Sequence, residues 1–181
     1  MSSWLERKAG EWLAGEAEPG RTAPRAARVA AYAGALGAAM VLSACRRTLR
    51  ERGAAAPLEA SCSELQALLD RLGADVERTQ SEGREDVEAI LDTFDACFGV
   101  LDVAEREVGS LRAEDVSDLW TGAELAAASL EAQAIHVRIG LSRITDEAYG
   151  RPVKGGMIRS LHEARRVRDR ILQVVEGRLV L

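Results

Sequence analysis

Val29-Ala30-Ala31-Tyr32-Ala33-Gly34-Ala35-Leu36-Gly37-Ala38-Ala39 decides the fold class. Alanine is the strongest helix former, whereas each glycine in a helix interior costs about 1 kcal/mol. A helix that keeps both Gly34 and Gly37 needs something to offset them. Close approach of another helix does so, and so does close approach of a ligand. Packing is the commoner reason.

Reading outward, this helix opens near Pro24 or Arg25 and runs towards Arg52; proline suits a helix start. Upstream, Ser3 to Ala14 carries Trp4, Leu5, Ala9, Trp12 and Leu13 on one side, and Gly15 to Pro24 reads as a loop. Downstream, apolar residues recur at steps of three and four. Leu58, Cys62, Leu65, Leu69, Leu72 and Val76 mark a third helix opening near Pro57. Val87, Ile90, Phe94, Cys97, Leu101, Ala104 and Val108 mark a fourth after Gly83. Leu119, Ala123, Ala126, Leu130, Ala134, Val137, Leu141 and Ile144 mark a fifth, which Ser117 or Asp118 can cap. Gly150 and Pro152 are expected to break it, and a sixth helix is expected from about Met157 to the end. No segment reads as a strand. The expectation is one all-α domain over residues 1–181, an up-and-down bundle of about six helices.

Composition narrows the function. The net charge of -5 leaves no basic surface for a phosphate backbone, so nucleic acid is not an expected partner. Cys45, Cys62 and Cys97 are odd in number and widely spaced. That pattern suits reduced cytoplasmic thiols better than disulfides or zinc. His136 and His162 are the only histidines, so no metal site is expected. Leu42-Ser43-Ala44-Cys45 looks like a lipoprotein cleavage box. It stands late in the chain behind an amphipathic stretch, so a buried helix is the preferred reading over a lipid anchor or membrane span. Phosphate loops, nucleophile elbows and dinucleotide fingerprints are all missing.

The order of local patterns goes further. Residues 11–40 lead through a loop into the Ala/Gly helix quoted above. Val116-Ser117-Asp118, the run Ala123 to Ala132, His136-Val137-Arg138-Ile139-Gly140-Leu141 and Ile144-Thr145-Asp146-Glu147-Ala148-Tyr149 follow in turn. In this order the chain resembles the cyclodeaminase/methenyltetrahydrofolate cyclohydrolase family. The resemblance implies a cytoplasmic homodimer with no tightly bound cofactor. Its substrate would be a tetrahydrofolate derivative carrying a formimidoyl or methenyl unit.

The resemblance also implies a site. Asp118 takes the acid/base position, with Asp75 in support, and removing Asp118 is expected to abolish activity. Pro24, Arg25, Arg28 and Ser117 stand at substrate-binding positions. The departures are marked. Arg25, Ala26 and Ala27 replace three glycines, so the loop is expected to be partly absorbed into the helix. Gly73 replaces an acid. His136 and Gly140 replace two asparagines, and His136 can take over as an acid or base. Simpler roles exist for each: a helix cap for Asp118, a solvated surface for Asp75, a structural imidazole for His136. Arg46, Arg47, Arg50 and Arg52 complement a helix dipole or suit a polyglutamate tail. A relative that keeps the fold while serving another small molecule, or acting as a scaffold, is the alternative function.

Overall fold

The computed structural model describes residues 25–53, 55–77 and 83–179. The expected helix Ser3–Ala14, the loop up to Pro24 and the side chain of Arg25 lie outside the described residues. The described residues form five α-helices and no strand. They are α1 (Arg25–Arg52), α2 (Ala56–Glu77), α3 (Arg84–Glu107), α4 (Val116–Leu141) and α5 (Glu147–Leu179), with a 3-10 turn at Ala113–Asp115 before α4. α1 absorbs the Arg25–Arg28 stretch, as alanine in place of glycine dictates.

Consecutive helices alternate in direction, so the bundle has two ends. The starts of α1, α3 and α5 share one end with the finishes of α2 and α4. Gly53 closes α1 in the left-handed conformation (φ 86°), and its N–H donates to the carbonyl of Leu49 at 3.0 Å. At the far end Arg178 of α5 donates to the carbonyls of Val108 and Leu111, holding α5 to the link between α3 and α4.

α1 and α4 run antiparallel in the closest approach of the fold. A Cβ on Gly37 would stand 2.5 Å from the carbonyl oxygen of Gly122, and one on Gly122 would stand 2.7 Å from that of Gly37. A Cβ on Gly34 would meet Cys97 Sγ at 2.6 Å. Helix packing therefore explains the glycines of the Ala/Gly run. Phe94, Leu65, Leu72, Leu101, Leu119, Leu130 and Ile171 fill the core behind this pair.

The last helix differs from expectation. The break falls at residues 142–146, and α5 continues through both Gly150 and Pro152. Asp146 supplies the start: its Oδ1 accepts the N–H of Tyr149 at 3.2 Å, and its carbonyl accepts that of Gly150 at 3.0 Å. Pro152 removes the partner of the Ala148 carbonyl, but Ala148 and Pro152 are both exposed, so water can replace the lost bond. α4 begins earlier than expected, at Val116 behind the 3-10 turn, and no side chain caps it.

Candidate functional site

The residues singled out in the sequence separate between the two ends. Ser117 and Asp118 lie in the first turn of α4, at the far end. Asp118 is bonded to Arg47, which also donates to Asp115 at 2.6 Å. Asp115 is only 1% exposed and further accepts from Arg112 at 2.8 Å and Thr48 at 3.0 Å. Burial pushes its pKa upward, but the hydrogen bonds from Arg112, Arg47 and Thr48 outweigh that and hold it below the usual carboxylate value. This network ties the finish of α1 to the start of α4. Two more basic residues here are similarly placed: Arg46 donates to Gln66 at 3.0 Å and Arg52 to the Ser110 carbonyl at 2.8 Å. They join elements together.

His136 is 18 residues further along α4, which is about 27 Å of helix. The structure therefore does not bring Asp118 and His136 together. Arg28, Asp75 and His136 belong to the opposite end, where α1 starts and α2 and α4 finish.

That end holds a buried polar cluster. Asp75 is 9% exposed and accepts from Thr93 Oγ1 at 3.0 Å. Beside it, Cys97 Sγ lies 3.2 Å from Ser129 Oγ, and Ser129 donates to the Ala30 carbonyl at 2.5 Å. One turn on, Gln133 Nε2 donates to the Ala27 carbonyl at 3.0 Å. Gln133 is 1% exposed, yet its Oε1 has no hydrogen-bond partner among the described residues. A buried carbonyl oxygen in that position costs about 1–3 kcal/mol unless something donates to it.

Charge states follow from the surroundings. Burial pushes the Cys97 thiol up to about 12, so it is neutral and no nucleophile. Burial also lowers the pKa of His136 while Asp86 partly restores it, which keeps the imidazole neutral near pH 7. Burial raises Asp86 against the opposing pull of Arg143 and His136. Gly140 is a packing glycine: a Cβ there would stand 2.6 Å from Val87 Cγ2. Val87 thus fills the space an asparagine would need.

A cavity of about 500 Å³ opens beside the cluster's end of the bundle, between the finish of α4 and the first turns of α5. Leu141, Ile144 and Gly150 supply apolar wall, Arg138, Arg151 and Lys154 supply positive charge, and Asp146 and Glu147 supply negative charge. The volume is in the range of small-molecule sites. No group of three or more metal-binding side chains exists among the described residues.

No family model matches the sequence, and no curated protein matches it. A solved structure does. Formiminotetrahydrofolate cyclodeaminase from Thermotoga maritima superposes with a TM-score of 0.80, over 95% of this chain and 96% of that one, at 18% identity. The chain has the cyclodeaminase fold.

Thr93, Ser129, Gln133 and Asp86 were not singled out in the sequence. Their signal was present: Ser129 and Gln133 are polar residues four apart amid the Ala-rich α4, and Thr93 stands between Ile90 and Phe94 on an apolar face.

Proposed function

We propose that the chain acts on a one-carbon tetrahydrofolate derivative at the Asp75 end of the bundle, with Asp75 as the acid/base. One observation carries the reading: a buried carboxylate and a buried amide oxygen without a hydrogen-bond partner among the described residues lie at the same end of the bundle, where the chain enters α1. A bound ligand with a ring N–H would satisfy Gln133 Oε1. The fold likeness to a folate cyclodeaminase supports the same substrate class.

The chemistry suits a carboxylate. In cyclodeamination one ring nitrogen attacks the formimidoyl carbon, and ammonia leaves once its nitrogen is protonated. In methenyl hydrolysis, water attacks the same carbon and gives up a proton. Both need one group that holds and returns a proton beside the bridging carbon. Asp75 fills that role in this reading, with Thr93 fixing its orientation and His136 accepting protons from the cluster. Arg138 and Lys154 suit the carboxylates of a glutamate tail. Asp118 is held by Arg47 and positions helices. A cytoplasmic homodimer is part of the same proposal.

Calorimetry with a stable tetrahydrofolate analogue tests the binding step. Micromolar binding that weakens at least tenfold in Gln133→Leu supports the site. Binding unchanged in Gln133→Leu places the ligand elsewhere. A second reading has its own observation: Val87 fills the space beside Gly140, and Arg25, Ala26 and Ala27 stand in the first turn of α1 where the family resemblance implies glycines. Both changes suit a smaller or different ligand on the same fold, and failure of any folate to bind favours it.

A further inference from the structure

We infer that the cavity between the finish of α4 and the first turns of α5 binds a small organic acid with an apolar body, as a site separate from the Asp75 cluster. The inference goes beyond the folate reading and holds whatever the cluster binds.

The charges on the cavity wall do not cancel. Asp146 is bonded to Arg84, and Arg151 donates to Glu147 at 3.1 Å. Both acids on the wall are thus neutralised from within the chain, and Arg151 with them. Arg138 and Lys154 remain, and neither makes an ion pair or a side-chain hydrogen bond among the described residues. Ser142 is also engaged, since its hydroxyl donates to the Ile139 carbonyl at 2.8 Å. The wall therefore offers two uncompensated positive charges to whatever enters. A carboxylate receives strong, charge-assisted hydrogen bonds from groups of this kind.

The rest of the wall is apolar. Leu141 and Ile144 close the cavity on the side packed against the core. Gly150 leaves room opposite them. A Cβ there would come only to 4.0 Å from Leu141 Cδ2, an ordinary contact, so no neighbour demands this glycine as Gly122 demands Gly37. The rim is formed in advance of any ligand. Arg84 pairs with Asp146 and lies 4.3 Å from the centroid of the Tyr149 ring, which fixes the start of α5 to α3. An apolar wall with a few convergent charges is the usual makeup of a small-molecule site, and this volume suits an acid of about six to ten carbons.

Cavity and cluster use different sides of α4. Arg138 stands five residues beyond Gln133, so it points about 140° away round the helix. Gln133 faces α1, whereas the cavity wall faces α5. A ring held at Gln133 would leave the cavity free. A glutamate tail reaching round the end of α4 would compete for the same two cations but make no use of the apolar wall.

The test is a chemical-shift titration of the isotope-labelled, full 181-residue chain with 3-phenylpropanoate. The expected result is saturable binding with Kd on the order of 0.1–1 mM, the strength open to a ligand of about eleven heavy atoms. The shifts should centre on residues 138–154. Arg138→Gln with Lys154→Gln should raise Kd at least tenfold. Both side chains are exposed, so helical circular dichroism should stay unchanged. The neutral 3-phenylpropanamide should bind at least tenfold more weakly than the acid, which tests the charge with no substitution at all. Absence of saturation by about 10 mM acid overturns the inference. So does an amide that binds as well as the acid, or binding that survives loss of both cations in a folded variant. Glutarate binding as tightly as 3-phenylpropanoate overturns it too, because a polar dicarboxylate that ignores the apolar wall would make the cavity no more than a tail site.

Discussion

Replacing Gly37 by alanine tests the helix contact on which the whole bundle depends. In an unconstrained helix this change stabilises by about 1 kcal/mol. Here the new Cβ would lie 2.5 Å from Gly122 O and 3.0 Å from Ala126 N, where ordinary contact begins at 3.4 Å. Both obstacles are backbone atoms of α4, so no side chain can rotate away. The helices must separate by nearly 1 Å, opening contacts along the pair. Overpacking of this kind costs about 1–3 kcal/mol, and the loss of contacts along the helices adds to it. After the gain in helix propensity, a net loss of about 2 kcal/mol is expected, which lowers Tm by about 4–8 °C for a chain of this size. Gly177→Ala is the control. It sits in α5 with nothing within 4 Å of a Cβ, so the same substitution should raise Tm by about 2–4 °C. Differential scanning calorimetry reads both. A Gly37→Ala protein as stable as the parent, alongside a stabilised Gly177→Ala, would refute the close approach of α1 and α4.

Asp115→Asn removes the charge that Arg47, Arg112 and Thr48 surround, and about 2 kcal/mol should be lost at pH 7 in urea unfolding. The sign with pH is fixed: the folded-state pKa lies below the unfolded one, so this contribution is complete above the ordinary aspartate value. It disappears as pH falls through the lower folded value, and the gap between parent and variant should close in strong acid. His136 also has a lowered folded-state pKa, so the unfolded chain takes up its proton first. Stability should fall as pH drops through about 6.5, and His136→Gln should flatten that part of the urea-midpoint profile.

Much of the fold could be read directly. The three- and four-residue spacing of α2, α3 and α4 reports burial along one face, and Leu65, Leu72, Phe94, Leu101 and Leu130 are indeed core residues. The misplaced break before α5 has a local cause. Proline and glycine were weighed as breakers, but a single capping bond from Asp146 starts the helix ahead of both, on a face exposed enough to tolerate a missing backbone bond. The site was harder to read because sequence order says little about which end of a bundle a residue occupies. Asp118 and His136 belong to one helix and still lie about 27 Å apart. Asp75 and Thr93 belong to different helices and share a hydrogen bond. Only the up-and-down pairing turns those positions into a cluster, and only the Val87 contact shows why Gly140 lacks a side chain.

The most direct measurement is the loss of near-ultraviolet absorbance of methenyltetrahydrofolate, with the parent chain, Asp75→Asn and Asp118→Ala compared against the spontaneous rate. The expected result is acceleration by the parent, at least a hundredfold less by Asp75→Asn, and near-parental rates with Asp118→Ala once its folded fraction is matched. Activity that survives Asp75→Asn and vanishes in a folded Asp118→Ala would contradict the account and move the chemistry to the far end of the bundle.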